Sequence, residues 1–269
     1  PDMKKSLLRT FFILFFLFTI GQQRSTAVPG ENKPEVINKM VVTDSSKTIS
    51  NQVMIKGKPV PYTANFGTLP VWDEDGKAIA GVFYTYYERT DVKDKTTRPL
   101  VISFNGGPGT PSVWMEIGYT GPRILNIDDE GYPVQPYGLR DNPYSIIDVA
   151  DIVYVDPVNT GFSRPISKDI PGTKFFGVNA DIKYLAEWIN TFVTRKNRWA
   201  SPKFLIGESY GTTRVSGLAL ELQNAQWMYL NGVILVSPTE LGIKRDGPVG
   251  EALLLPYYAA TAWYHKKLP

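Results

Sequence analysis

The sequence predicts an α/β protein, a mostly parallel sheet flanked by helices and truncated before its last strands. The first observation behind this is a set of four compact apolar runs bounded by turn residues: 100–104 (LVISF), 151–156 (DIVYVD), 203–207 (KFLIG) and 232–237 (GVILVS). Rich in Val and Ile and without alternation, they suit strands buried on both faces of a parallel sheet. The second is a helical pattern between the second and third runs. Ile182, Leu185, Ile189, Phe192 and Val193 recur at helical spacing, with Asp181, Lys183, Glu187 and Asn190 on the other side. The third is another helix candidate, 212–223, directly after the third run. Strands alternating with helices make an α/β fold.

Taken from the N-terminus, residues 1–27 read as a secretory signal peptide. MKKSLLRT gives a positive start, FFILFFLFTI (11–20) a short apolar run, and Ser25, Thr26 and Ala27 small residues at a cleavage site. The run is too short to span a bilayer as a permanent anchor, so an exported, periplasmic or extracellular product is expected. The chain has 29 Lys and Arg against 26 Asp and Glu; four of those bases and one acid fall in 1–27, so the remainder is balanced. No basic surface for nucleic acid follows from this. There is no cysteine and a single histidine. An exported product then folds without disulfides. Cysteine-protease chemistry, lipid attachment at the cleavage site and thiolate metal sites are excluded. One histidine leaves little to build a zinc site, and neither metal nor cofactor is expected.

Residues 28–60 are polar, with Pro, Asn, Lys and Ser scattered through them, and read as a lead-in with at most short strands. TLPVW and KAIAGVFYTYYE then flank a turn at Asp75 and Gly76, a hairpin pattern. The stretch 91–98 (DVKDKTTR) reads as a solvated charged turn. After the strand at 232–237 no further strand follows, and the last residues (EALLLPYYAATAWYHKKLP) resume a helical pattern. Half of a domain is the expectation.

The chemistry centres on residues 207–211, GESYG, which fit G-x-S-x-G. An apolar strand runs into Ser209 and a helix leaves it, the context of a nucleophile elbow in α/β-hydrolases. Gly207 and Gly211 are small because so tight a turn packs them against strand and helix, and the helix N-terminus favours a forming negative charge. The alternative is a serine that merely caps the helix. A nucleophilic serine needs an oxyanion hole, one donor of which comes from the loop after an earlier strand. Residues 105–109 (NGGPG) stand there, right after LVISF, with glycines that let backbone N–H groups approach a substrate oxygen. A dinucleotide-binding loop is also glycine-rich, but Ser112 stands where its third glycine belongs.

FNGGPGTPS, DIVYVDPVNTGFS and GESYG, in that order and spacing, resemble the hallmark segments of the serine carboxypeptidase family. The likeness runs from about Tyr62 to the end, and LPYYAATAWYHKKL is similar to the start of the helical insertion in bacterial members. The resemblance implies an α/β-hydrolase catalytic domain over 28–239, a truncated cap insertion over 240–269, and release of C-terminal amino acids from peptides through an acyl-enzyme. It implies Ser209 as nucleophile, the backbone N–H groups of Gly107 and Tyr210 as oxyanion hole, and the Asn105 and Glu208 side chains as holders of the substrate carboxylate. A glutamic acid does this only when protonated, a state that burial and a neighbouring carboxylate favour.

The sequence departs from the family in two places. Many members carry cysteine where Thr110 stands, and the family's second glutamate falls at about Tyr119, with Glu116 close but out of register. The triad order on this fold is Ser, Asp or Glu, then His, and in the family both partners lie far beyond residue 269. His265, among Tyr264, Lys266 and Lys267, reads as a surface residue near a helix end, and Glu240 and Asp246 have no better claim. An esterase or acyltransferase on the same fold, or a non-catalytic binding protein that keeps the pocket, are the alternative functions.

Overall fold

The structure, a computed structural model, describes residues 43–239 and 247–268. The predicted signal peptide, Glu240 and Asp246 lie outside the described residues. The strands are β1 (Ser45–Ile55), β2 (Lys58–Trp72), β3 (Ala78–Arg89), β4 (Leu100–Phe104), β5 (Arg123–Leu125), β6 (Leu139–Asp141), β7 (Asp151–Val155), β8 (Arg164–Pro165), β9 (Lys203–Glu208) and β10 (Gly232–Val236); the long helices are α1 (Val178–Arg195), α2 (Tyr210–Gln226) and α3 (Pro248–Tyr264). One sheet runs β1-β2-β3-β7-β4-β9-β10, with β8 added on β3. Its β7-β4-β9-β10 half is parallel, and the β1-β2-β3 half joins it antiparallel. β5 and β6 form a small separate hairpin in the connection from β4 to β7. Among the described residues no helix is long and apolar enough to cross a membrane.

The α/β fold is as the apolar runs predict. Every residue of β4 and β7 is buried, as strands covered on both faces must be. The hairpin at Asp75 and Gly76 is present, with Trp72 opposite Ala78. α1 packs Leu185, Trp188, Ile189 and Phe192 onto β3, where Phe192 meets the rings of Tyr84 and Tyr86 edge-on. Val215, Leu218 and Leu222 of α2 join the same core.

Four expectations are corrected. The polar lead-in holds a full strand, β1, paired with β2 along its whole length. Backbone bonding carries it: most of its side chains are exposed, so no apolar alternation marks it. Its turn, Lys56 and Gly57 at φ 50° and 75°, is a hairpin turn with positive φ at both central residues, and Lys56 occupies the place where Asn or Asp would have signalled it. β10 is not buried on both faces; Val233, Ile234 and Leu235 are exposed, because β10 is the last strand of the sheet among the described residues.

The other two corrections concern charge. Asp181 does not lie on a solvated face of α1. It is buried, with Arg214 of α2 at 2.7 Å. The stretch 91–98 is not solvated throughout either, since Arg98 at its end is buried against Asp151 at 2.8 Å. Helix periodicity and charge density describe one segment at a time, and both of these ions find partners far away in sequence.

Candidate active site

β9 delivers Ser209 to the carboxyl edge of the parallel sheet, and α2 begins with the next residue. The backbone at Ser209 has φ 56° and ψ −124°, a conformation a non-glycine residue adopts only when its surroundings impose it. Three contacts impose it here. Ser209 N donates to Val236 O at 3.0 Å, while Thr212 N and Thr212 Oγ1 donate back to Ser209 O at 2.9 and 2.7 Å. Gly207 has no room for a side chain, because a Cβ there would overlap the Gly211 carbonyl. The tightness expected of the elbow is therefore met by strand and helix backbones in direct contact.

The loop after β4 closes on this elbow. A Cβ on Gly106 would fall 2.7 Å from both Glu208 O and Tyr210 N, so the glycine lets the two backbones touch. Gly107 follows at φ 110°. Tyr210 heads α2, where the first N–H groups have no partner within the helix. Asn105 is buried and held from both ends: its Oδ1 accepts from Met115 N at 2.8 Å, and its Nδ2 donates to Glu208 Oε2 at 3.2 Å.

A pocket of about 590 Å³ opens over these residues. Asn105, Gly107, Glu208 and Ser209 line it together with Trp114 and Tyr119. Four of the five residues named from sequence thus share one cavity; Tyr210, which follows Ser209 directly, is not among the lining residues. Trp114 and Tyr119, both exposed aromatics, were missed. Tyr119 occupies the place where a second glutamate was sought, and it lines the pocket instead. His265 is exposed, stacked edge-on against Tyr264 past the end of α3, and is not among the lining residues.

Glu116, out of register with the family's second glutamate, is bonded to a tyrosine. Its Oε1 accepts from Tyr87 Oη at 2.7 Å, and burial, aided by the Asp156 charge, pushes its carboxyl up to about 7. An acid kept neutral by the fold binds its proton more tightly folded than unfolded. Stability from this group is therefore full below its ordinary value of 4.5, falls as pH rises towards 7, and stays low above that. Glu116→Gln, which still accepts from Tyr87, is expected to raise stability by about 1–3 kcal/mol near pH 8 and by almost nothing at about pH 4. Thermal melts of both proteins at the two pH values check this; an equal shift at both would detach the effect from ionisation.

The serine carboxypeptidase family model matches residues 56–239. This chain belongs to the serine carboxypeptidase family. Serine carboxypeptidase-like 16 of Arabidopsis thaliana is 30% identical over 217 residues, covering 77% of this chain and 47% of that protein. Serine carboxypeptidase-like 36 of the same plant is 32% identical over 166 residues, 60% of this chain and 32% of that protein. The chain thus spans less than half the length of these curated relatives. Among solved structures, Kex1(delta)p, a prohormone-processing carboxypeptidase from Saccharomyces cerevisiae, superimposes with a TM-score of 0.53 at 23% identity, over 67% of this chain and 39% of that one. That likeness concerns the fold, which is that of an α/β-hydrolase.

Proposed function

We propose that this chain carries the nucleophile and the carboxylate-binding part of a serine carboxypeptidase that releases C-terminal amino acids from peptides and proteins. The observation that carries the reading is a strained serine at a strand-to-helix elbow, sharing one pocket with a hydrogen-bonded Asn105–Glu208 pair. Ser209 Oγ attacks the last peptide carbonyl as a histidine base takes its proton. The Gly107 and Tyr210 N–H groups hold the oxyanion, and the proton passes to the leaving amino acid. Water then cleaves the ester by the reverse sequence. Asn105 Nδ2 and the Glu208 carboxyl group hold the terminal carboxylate of the substrate. No metal or cofactor enters this scheme.

On this reading the triad histidine and acid come from a part of the natural protein beyond the sequence given, as the length of the relatives suggests. The catalytic domain proper is 28–239. Residues 240–269 begin a helical cap of the bacterial type, an assignment that rests on the likeness of 255–268 alone. The Lys-rich start, apolar run and small residues of 1–27 support export with removal of the signal, hence a product with no stable membrane anchor.

The test uses the full-length protein and paired peptides that differ only in a free or amidated C-terminus. A free carboxylate is expected to raise kcat/KM roughly 10- to 100-fold, the worth of one or two charge-assisted hydrogen bonds. Glu208→Gln keeps a donor beside Asn105 and is expected to retain this preference, whereas Glu208→Ala is expected to lose roughly tenfold of it. Equal rates on both peptides would mark an esterase-like hydrolase. No turnover of either would mark a binding protein.

A further inference from the structure

The loop 105–109 is an unpromising support for catalysis by itself: three of its five residues are glycine. Preorganised donors give their effect only if they do not move as charge develops. Something must hold this loop from outside.

Arg214 meets that need. It lies in the second turn of α2, the helix that Ser209 introduces, and its side chain is 1% exposed. Nη1 donates to Asn105 O at 2.9 Å and Nη2 to Pro108 O at 3.4 Å, so one guanidinium binds the carbonyls on either side of Gly106 and Gly107. Asp181 of α1 orients it, with Oδ2 2.7 Å from Nε and Oδ1 3.4 Å from Nη2. Its central carbon sits 5.6 Å from the Phe104 ring, at the end of β4, and 5.2 Å from the Tyr210 ring, next to the nucleophile. Arg214 is not among the residues that line the Ser209 pocket; with Asp181, Tyr210, Pro108 and Gly109 it lines a separate cavity of about 150 Å³.

We infer that Arg214, oriented by Asp181, is a positioning residue that fixes the 105–109 loop over Ser209 and so sets the oxyanion donor at Gly107 and the carboxylate-binding side chain of Asn105. The inference rests on the proposed role of Ser209. The planar fork is essential to it: an ammonium keeps the charge beside Asp181 but cannot span two carbonyls in fixed geometry. A full ion pair inside the core is otherwise a poor investment for stability, since well-packed apolar residues do as well.

The experiment uses the full-length protein in four forms: wild type, Arg214→Lys, the double variant Asp181→Asn with Arg214→Gln, and Arg198→Lys. The double variant leaves no orphaned charge, so it keeps the test open if Arg214→Lys folds badly. Arg198→Lys perturbs a different buried arginine and controls for general loss of stability. Amide exchange is measured in the peptide spanning 104–112, whose Thr110 N–H donates to Gly106 O within the loop. Both Arg214 variants are expected to exchange roughly tenfold faster or more in this peptide, and Arg198→Lys at the wild-type rate. On a peptide substrate kcat is expected to fall roughly 10- to 100-fold in the Arg214 variants with KM within about threefold. Wild-type exchange in the loop of either folded Arg214 variant overturns the inference, and so does unchanged kcat with a loosened loop. A loosened loop in a protein whose wild type shows no Ser209-dependent turnover keeps the positioning role and discards the functional reading.

Discussion

Ser209→Ala in the full-length protein is expected to lower kcat/KM on a peptide roughly 10⁴- to 10⁶-fold, almost entirely through kcat. The size follows from what is lost. Without Oγ there is no acyl-enzyme, and only positioning and oxyanion stabilisation remain to help a water molecule. The fold should not suffer, because the bonds that hold the elbow run to Ser209 N and O and leave the side chain free of structural duty. Alanine must adopt the same positive φ of 56°, a strain serine already bears. A melting temperature close to wild type together with the loss of turnover separates chemistry from stability. A serine-directed fluorophosphonate should label the wild type at Ser209 and leave the variant unlabelled. Turnover within tenfold of wild type would remove Ser209 from the nucleophile's role.

The elbow was legible in the sequence because its determinants are local. A buried strand, two glycines and a helix start lie within a short stretch, and close backbone approach admits no other residue at Gly207. The parallel strands were legible for a related reason: burial on both faces leaves an unbroken apolar run in β4 and β7. What stayed hidden depends on partners elsewhere in the chain. β1 owes its existence to backbone bonds with β2, which leave no mark on side chains that point to water. The periodicity of α1 put Asp181 outside, since only α2 supplies the arginine that makes its burial affordable. A second glutamate was looked for at about Tyr119, and Glu116, close by but out of register, is bonded to the phenol of Tyr87. Ser209, Glu208, Asn105 and Gly107 were named individually from motifs, yet their convergence on one pocket is a property of the sheet order. β4 and β9 are neighbours in the sheet, although about a hundred residues of chain separate them.

The largest effect on stability is expected at the opposite edge of the same sheet. Asp151, the first residue of β7 and 1% exposed, accepts from Arg98 Nε at 2.8 Å, Arg198 Nη1 at 2.6 Å and Arg89 N at 2.9 Å. Arg198 is fully buried, and its other nitrogens are bound to Ser201 Oγ and to Arg98 O. A single carboxylate thus compensates two guanidinium groups that have little access to water. Asp151→Ala leaves both cations buried without it and deprives a strand N–H of its acceptor. Breaking a buried pair in this way costs about 3–5 kcal/mol, or roughly 10 °C in melting temperature for a domain of this size. Asp151→Asn should fare little better, because the amide keeps the shape and loses the charge. Distance from the site makes the prediction sharper: Asp151 begins its strand, whereas Ser209 follows the end of β9. Well below the melting temperature, activity per folded molecule is therefore expected to match wild type. Denaturant melts and active-site titration of the soluble protein measure the two quantities separately. A stability loss under 1 kcal/mol would mean that the two arginines find other acceptors, and a specific loss of activity would mean that this cluster reaches the elbow.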